Sequence, residues 1–228
     1  GNQATNLAVG SRSQAGGIFL RNSGQKLFAG CVIENNRAGL GGGVYSSSGT
    51  LTFENTIIRD NGAVMNENAI WGGGGIYLGS SDLSMRNCLM YGNRALKDGG
   101  AIANQSQSSN FVMELRNCTV VSNVAGGSGG GIYIRERSVA LGGTPTLRLY
   151  NSIVYFNTSD NLSLAVVTPF PSNFAFNSCF TPTNLMLGST NRIIVVNCLS
   201  NNPLFAGYAA ADFRLSSNSP CINTGTNQ

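Results

Sequence analysis

Gly42-Gly43-Val44-Tyr45, Leu51-Thr52-Phe53-Glu54 and Asn55-Thr56-Ile57-Ile58-Arg59-Asp60-Asn61 are the phrases on which the fold turns. Each is a short run with period-two alternation, and Gly, Ser and Asn punctuate them, so each reads as a strand ending in a tight turn. The first phrase recurs at residues 16–19 (GGIF), 74–77 (GGIY), 100–103 (GAIA) and 130–133 (GGIY). The last recurs at 30–36 (GCVIENN), 87–93 (NCLMYGN), 117–123 (NCTVVSN) and 151–157 (NSIVYFN). Ile18, Val44, Ile76, Ile102 and Ile132 step by 26, 32, 26 and 30 residues; Cys31, Thr56, Cys88, Cys118 and Ser152 step by 25, 32, 30 and 34. Two independent markers therefore share one irregular period of about thirty residues.

No helical stripe interrupts the runs, and helix formers are too sparse for the crossovers of an ordinary parallel sheet. An antiparallel sandwich would not repeat the same phrases in the same order. Three strands per period with drifting loop lengths predicts an all-β solenoid, a parallel β-helix of about six or seven coils. Stacking then places Leu51 and Phe53, Leu83 and Met85, Met113 and Leu115, and Leu147 and Leu149 in inward columns about 4.8 Å apart. Ile33, Ile58, Met90, Val120 and Val154 form another inward column, and the small Cys31, Thr56, Cys88, Cys118, Ser152 column faces in at a bend. Asn55, Asn87, Asn117 and Asn151 form one expected ladder at that bend; Asn36, Asn61, Asn93, Asn123 and Asn157 form a second. Stacked amides hydrogen-bond to their copies, and Asn accepts the left-handed turn conformation.

The cadence resembles right-handed parallel β-helix proteins of bacterial surfaces, including polymorphic outer-membrane and autotransporter-like repeat proteins. Asn202-Pro203-Leu204-Phe205, Asp212-Phe213-Arg214-Leu215 and Ser219-Pro220-Cys221-Ile222 with Gly225 are similar to the "DPLF…DYRL…SPAIDAG" ending of many secreted bacterial β-helix proteins. The resemblance implies right-handed coils over residues 1–201, with 161–200 irregular and carrying a lateral loop, and a cap over 202–228 of the same domain. Pro169, Pro171 and Pro182 mark the irregular part. An open solenoid end exposes strand edges, so the N-terminal end is expected to meet the rest of a longer chain or another copy; loss of a processed leader fits the start equally well.

Composition removes several chemistries. The 228 residues include no His, 6 Cys, 30 Gly and 11% charged residues, with a net charge of +4. His catalysis and the commonest transition-metal ligand are excluded. The charge comes without a basic run, so no nucleic-acid partner is expected. No apolar run is long enough for a membrane-spanning helix. The Gly phrases lack the following helix that a phosphate loop requires, and no Cys spacing supports a metal, so no cofactor or metal is expected. Cys31, Cys88 and Cys118 read as reduced small fillers of the repeat column. Cys198 and Cys221 are the candidate disulfide, with Cys179 as competing partner.

The ten carboxylates, Glu34, Glu54, Asp60, Glu67, Asp82, Asp98, Glu114, Glu136, Asp160 and Asp212, scatter over several columns with no paired motif. Glycoside hydrolysis needs two carboxylates together, so no catalytic residue is assigned. Phe19, Tyr45, Tyr77 and Tyr133 follow the aliphatic column directly; alternation turns them outward if Ile18 and its equivalents face in, and makes them an interior stack if the parity is reversed. With the basic loop at Arg135 and Arg137, the outward arrangement is a candidate surface for polysaccharide, surface glycan or a protein partner. The function expected is a non-catalytic extracellular or cell-surface module for adhesion, carbohydrate contact or scaffolding. A fragment of a polysaccharide lyase or glycoside hydrolase is the second reading, and a self-stacking filament subunit the third.

Overall fold

The computed structural model describes residues 13–21, 24–64, 72–105, 110–135, 145–164, 173–181 and 193–225. Arg137, Glu67, Glu136 and the prolines at 169, 171 and 182 lie outside them. Among the described residues every pairing between strands of the solenoid is parallel, and the one antiparallel pair joins Phe205–Gly207 to Asp212–Leu215 in the C-terminal segment. The first face stacks Ile18–Leu20, the start of Val44–Glu54, the start of Ile76–Arg86, Ile102–Asn104, Ile132–Ile134 and Leu162–Leu164. The second stacks Gln25–Ala29, the ends of those two long strands, Phe111–Arg116, Pro145–Tyr150, Phe174–Phe176 and Ile194–Val196. Val44–Glu54 and Ile76–Arg86 are eleven residues each, so two of the expected short strands fuse there.

The third face stacks Val32–Glu34, Ile57–Arg59, Leu89–Tyr91, Thr119–Val121, Ile153–Tyr155 and Cys179–Phe180. A short fourth run, Arg37–Ala38, Gly62–Ala63, Arg94–Ala95 and Val124–Ala125, closes each turn. Four levels carry all four runs, about four full turns against the six or seven coils expected; beyond them the fourth run ends in a single bridge from Val124 to Thr158, while the other three faces continue.

The core is the set of inward columns. Val44, Ile76, Ile102 and Ile132 from the first face, Leu51, Leu83, Met113, Leu147, Phe53, Met85, Leu115 and Leu149 from the second, and Ile58, Met90, Val120 and Val154 from the third form one buried cluster. At the last level Val195 occupies the same inward column and is 48% exposed.

Two polar columns shape the bends. In one, Nδ2 of Asn36, Asn61, Asn93 and Asn123 donates to Oδ1 of the next asparagine at 2.9–3.0 Å, and each backbone N–H reaches the same oxygen. Asn157 does the same to Asn161, which takes the place of the next rung only four residues on. Buried amides are thus paired throughout the ladder, as burial demands. The other column differs. Asn55, Asn87, Asn117 and Asn151, continued by Asn177 and Asn197, all have φ between 47° and 53°. Asn55, Asn87 and Asn117 are exposed, and their amides meet at 3.3 Å, so this column is set by turn conformation more than by hydrogen bonding.

In the small column each side chain donates to the carbonyl two residues back: Thr56 to Glu54, Cys88 to Arg86, Cys118 to Arg116, Ser152 to Tyr150, Ser178 to Phe176 and Cys198 to Val196. A small donor suffices there, which explains the interchange of Cys, Ser and Thr. The Gly phrases have two separate causes. Gly41, Gly73, Gly99 and Gly129 carry positive φ, while a Cβ on Gly74 or Gly100 would fall 2.4 or 2.3 Å from the next coil's carbonyl oxygen.

The C-terminal segment was expected to close the end of the stack. It lies instead along the flank of the third face. Phe213 packs on Tyr91, Tyr208 and Phe205 on Phe156, and Ser122 Oγ donates to the Tyr208 hydroxyl. Val121, outward in register between Tyr91 and Tyr155, is fully buried under this cover.

Candidate ligand-binding cleft on the second face

Alternation that turns Met85, Leu115, Leu149 and Ala175 inward turns the residues after them outward. Glu54, Arg86, Arg116, Tyr150, Phe176 and Val196 are consecutive partners in this column. The parallel outward column two residues earlier reads Ser84, Glu114, Arg148, Phe174 and Ile194. Arg86, Arg116, Asn117, Tyr150 and Asn151 line a cleft between the first of these columns and the asparagine bend. Local structure builds it: the left-handed turns at Asn117 and Asn151 fold the chain sharply beside the arginine–tyrosine row.

The Arg116 guanidinium lies 4.1 Å from the Tyr150 ring centroid, and Tyr150 stacks on Phe176 at 5.6 Å with 7° between planes. Phe174 and Phe176 continue the stack at 6.0 Å. Nε of Arg116 donates to Glu114 at 2.6 Å, and Arg148 approaches the other oxygen of Glu114 at 3.7 Å. The Glu114 hydrogen bond raises the Arg116 pKa further above its ordinary value, so it stays charged. Arg86 is exposed, and its guanidinium has no hydrogen-bond or ion-pair partner among the described residues. The cleft therefore offers one uncommitted guanidinium, a second held in place, two amides and an aromatic floor.

The described carboxylates are largely committed elsewhere. Glu34 binds Arg59 at 2.5 Å, Asp212 binds Arg214 at 2.7 Å, Asp82 accepts the Val112 N–H and Asp98 the Ser128 N–H at 2.8 Å each, and Asp160 accepts the Gly129 N–H. No group of three or more metal-ligating side chains occurs among the described residues, and no helix among them is long and apolar enough to cross a membrane.

The profile of the right-handed beta helix region matches residues 5–160, more than half of the chain. The chain belongs to the right-handed β-helix family. Among curated proteins and among solved structures, none matches it. In this β-helix the parallel sheets, the inward columns and the amide ladder repeat from coil to coil.

The candidate residues named from sequence fall elsewhere. Ile18, Val44, Ile76, Ile102 and Ile132 belong to or pack on the main core, so the following aromatics point away from it. They do not form an open row. Tyr77 is 4% exposed and Ala103 fully buried, packed with Leu40 and Tyr45 as a separate apolar cluster. Phe19 stacks on Tyr45 at 5.2 Å and Tyr45 on Tyr77 at 5.0 Å, and of these Phe19 alone is well exposed, at 46%. Tyr133 and Arg135 are half-buried. The expected Cys198–Cys221 disulfide is not formed, and all six cysteines are free thiols. Cys198 belongs to the inward small column, donating to Ala175 and Val196, whereas Cys179 sits one residue past that column on the third face and donates to the Asn201 carbonyl at 3.3 Å. Arg86, Arg116 and Tyr150 were missed as a set, although the repeat register that defined the inward columns also aligns them.

Proposed function

We propose that this β-helix is a non-catalytic surface module that holds an anionic polysaccharide along its second face, in the cleft of Arg86, Arg116 and Tyr150. The uncommitted Arg86 beside a guanidinium stacked on Tyr150 carries the reading. Planar guanidinium groups pair with carboxylate or sulfate through two parallel hydrogen bonds, and aromatic faces stack on sugar rings. Successive coils repeat every ~4.8 Å, close to the length of one pyranose unit, so a glycan lying along the axis meets Arg86, Arg116, Tyr150 and Phe176 in turn. The involvement of described carboxylates in ion pairs and backbone turns supports binding over hydrolysis, which needs two of them free and facing each other. A place outside the cell or on its surface fits such a ligand.

Titration calorimetry with polygalacturonate and with neutral dextran tests the reading. Binding of the first, weakening as salt is raised, and none of the second is expected. Equal binding of both, or hydrolysis or β-elimination of the polygalacturonate, would overturn it.

A further inference from the structure

The fourth run carries a separate pair of uncommitted cations. Its residues Ala38, Ala63, Ala95 and Ala125 are buried, so alternation turns Arg37, Gly62, Arg94 and Val124 outward in one column. Arg37 and Arg94 are exposed, and neither guanidinium has a hydrogen-bond or ion-pair partner among the described residues. The ion pairs found there engage Arg59, Arg116, Arg148 and Arg214 instead. Asp60, two residues before Gly62, turns a carboxylate oxygen onto Gly92 and pairs with neither arginine.

Gly62 explains how the two cations come together. Its φ is not positive, and the nearest atoms to a Cβ placed there are all side-chain atoms: Nη1 of Arg37 at 2.7 Å and the Val64 methyls at 3.1 and 3.5 Å. A Cβ on Gly42, by contrast, would meet backbone atoms of two coils at 2.5 Å. Neither turn conformation nor coil packing therefore demands glycine at 62. The missing side chain leaves a slot, and the Arg37 guanidinium lies in it, reaching one coil along the solenoid. Arg94 is the register partner of Gly62 on the following coil, one ladder step of about 4.8 Å further on. Two like charges brought to neighbouring places without a carboxylate between them repel, and an anion held by both relieves that repulsion. We propose that Arg37 and Arg94 form a binding site for a tetrahedral oxyanion, sulfate or phosphate, free or as an ester.

The chemistry of the slot selects that class. Each guanidinium presents paired N–H donors in one plane and so takes two oxygens at once. Two guanidiniums rooted on different coils meet an anion from different sides, and a tetrahedral group has oxygens to offer both, whereas a carboxylate has two oxygens in a single plane. Two positive charges also match a dianion. Arg37, Gly62, Val64 and Arg94 include no ring on which a sugar could stack, so the slot reads the charged group alone, unlike the second-face cleft.

The test is to titrate the full chain with sodium sulfate, sodium phosphate and sodium acetate near neutral pH, ionic strength held constant with sodium chloride, and to follow the arginine Nε–Hε signals by NMR. Sulfate and phosphate are expected to move the Arg37 and Arg94 signals along one shared saturating curve, with acetate weaker by about tenfold or more. Sulfate the tighter of the two assigns a sulfate ester as the natural group, and phosphate the tighter a phosphate ester. Arg94→Ala should weaken sulfate binding at Arg37 by about tenfold or more. Gly62→Ala should do the same by driving Arg37 from the slot, with the circular dichroism spectrum unchanged. Separate or non-saturating curves for the two arginines, acetate as tight as sulfate, or undiminished binding by Arg94→Ala would each overturn the proposal. A failure of polygalacturonate to bind the second face would leave these results standing, because the two sites share no residue.

Discussion

The Arg116 guanidinium sits 4.1 Å from the Tyr150 ring centroid on the next coil while its Nε donates to Glu114, so one side chain is fixed on two sides at once. Arg86, one coil earlier in the same column, has no such anchors.

That contrast sets the first expectation. A charge-assisted hydrogen bond is worth about 1.5–3 kcal/mol, or about ten- to a hundredfold in affinity. Arg86→Ala should weaken polygalacturonate binding by about tenfold or more while leaving the melting midpoint unchanged. Calorimetry and thermal melting read the two quantities separately. Undiminished affinity would remove Arg86 from the site.

Asn93 receives two bonds from Asn61 and gives bonds to Asn123, Ile58 and Tyr91, all away from water. Asn93→Ala strands several buried groups, each costing about 1–3 kcal/mol, so a loss of about 3 kcal/mol or more is expected. Asn93→Asp should be worse at neutral pH, because an ionised carboxylate cannot donate to Asn123 Oδ1 and brings a buried charge. Urea denaturation measures both, and a change under 1 kcal/mol would contradict the ladder's role.

Gly30 and Gly100 separate the two demands that glycine meets. Gly30 has φ +63° with open space around its missing Cβ, and it occupies the column of Asn55 and Asn87. Gly30→Asn should change stability by less than about 1 kcal/mol, since Asn accepts that conformation. A Cβ on Gly100 would lie 2.3 Å from the Gly130 oxygen, so Gly100→Ala must force coils apart and should cost several times more. Comparable denaturation midpoints for the two variants would count against stacking as the cause.

Asp98 gives a pH signature. Burial pushes its carboxyl above the ordinary 3.8, against the opposing Ser128 N–H, Lys97 and Arg135. A carboxyl raised in the folded state favours folding most below the unfolded value, and that contribution is lost as pH rises through the folded value. Asp98→Asn keeps an acceptor for Ser128 without the charge, so it should melt higher than wild type at pH 7, the gap closing as pH falls towards 3.8. Melting curves across that range decide it; a gap that widens on acidification would reverse the sign.

Much of the core was readable in advance because stacking converts sequence register into side-chain direction. Phe53, Met85, Leu115 and Leu149 are inward for one reason repeated four times. The ladder of Asn61, Asn93 and Asn123 followed from the same register. The C-terminal segment had no such periodicity: Phe213 on Tyr91 and Tyr208 on Phe156 are single side-on contacts between distant residues. Cys198 belongs to the small column once that column is carried through Ser178, and Cys179 then falls one position outside it. The exposed aromatic row failed because Leu40, from another turn, packs over Tyr77. The cleft was within reach, since Arg86, Arg116 and Tyr150 each precede a bend asparagine.

Asn161, the last rung after Asn157, fixes where new material can enter the molecule. A duplicated unit of about thirty residues spliced between Asn93 and Asn123 would find an amide on either side to receive it and would lengthen the rod by one step. The same insert after Asn161 would meet a row already terminated on Thr181. Growth of this protein by copying, in evolution or at the bench, is therefore open in its middle and shut at that boundary.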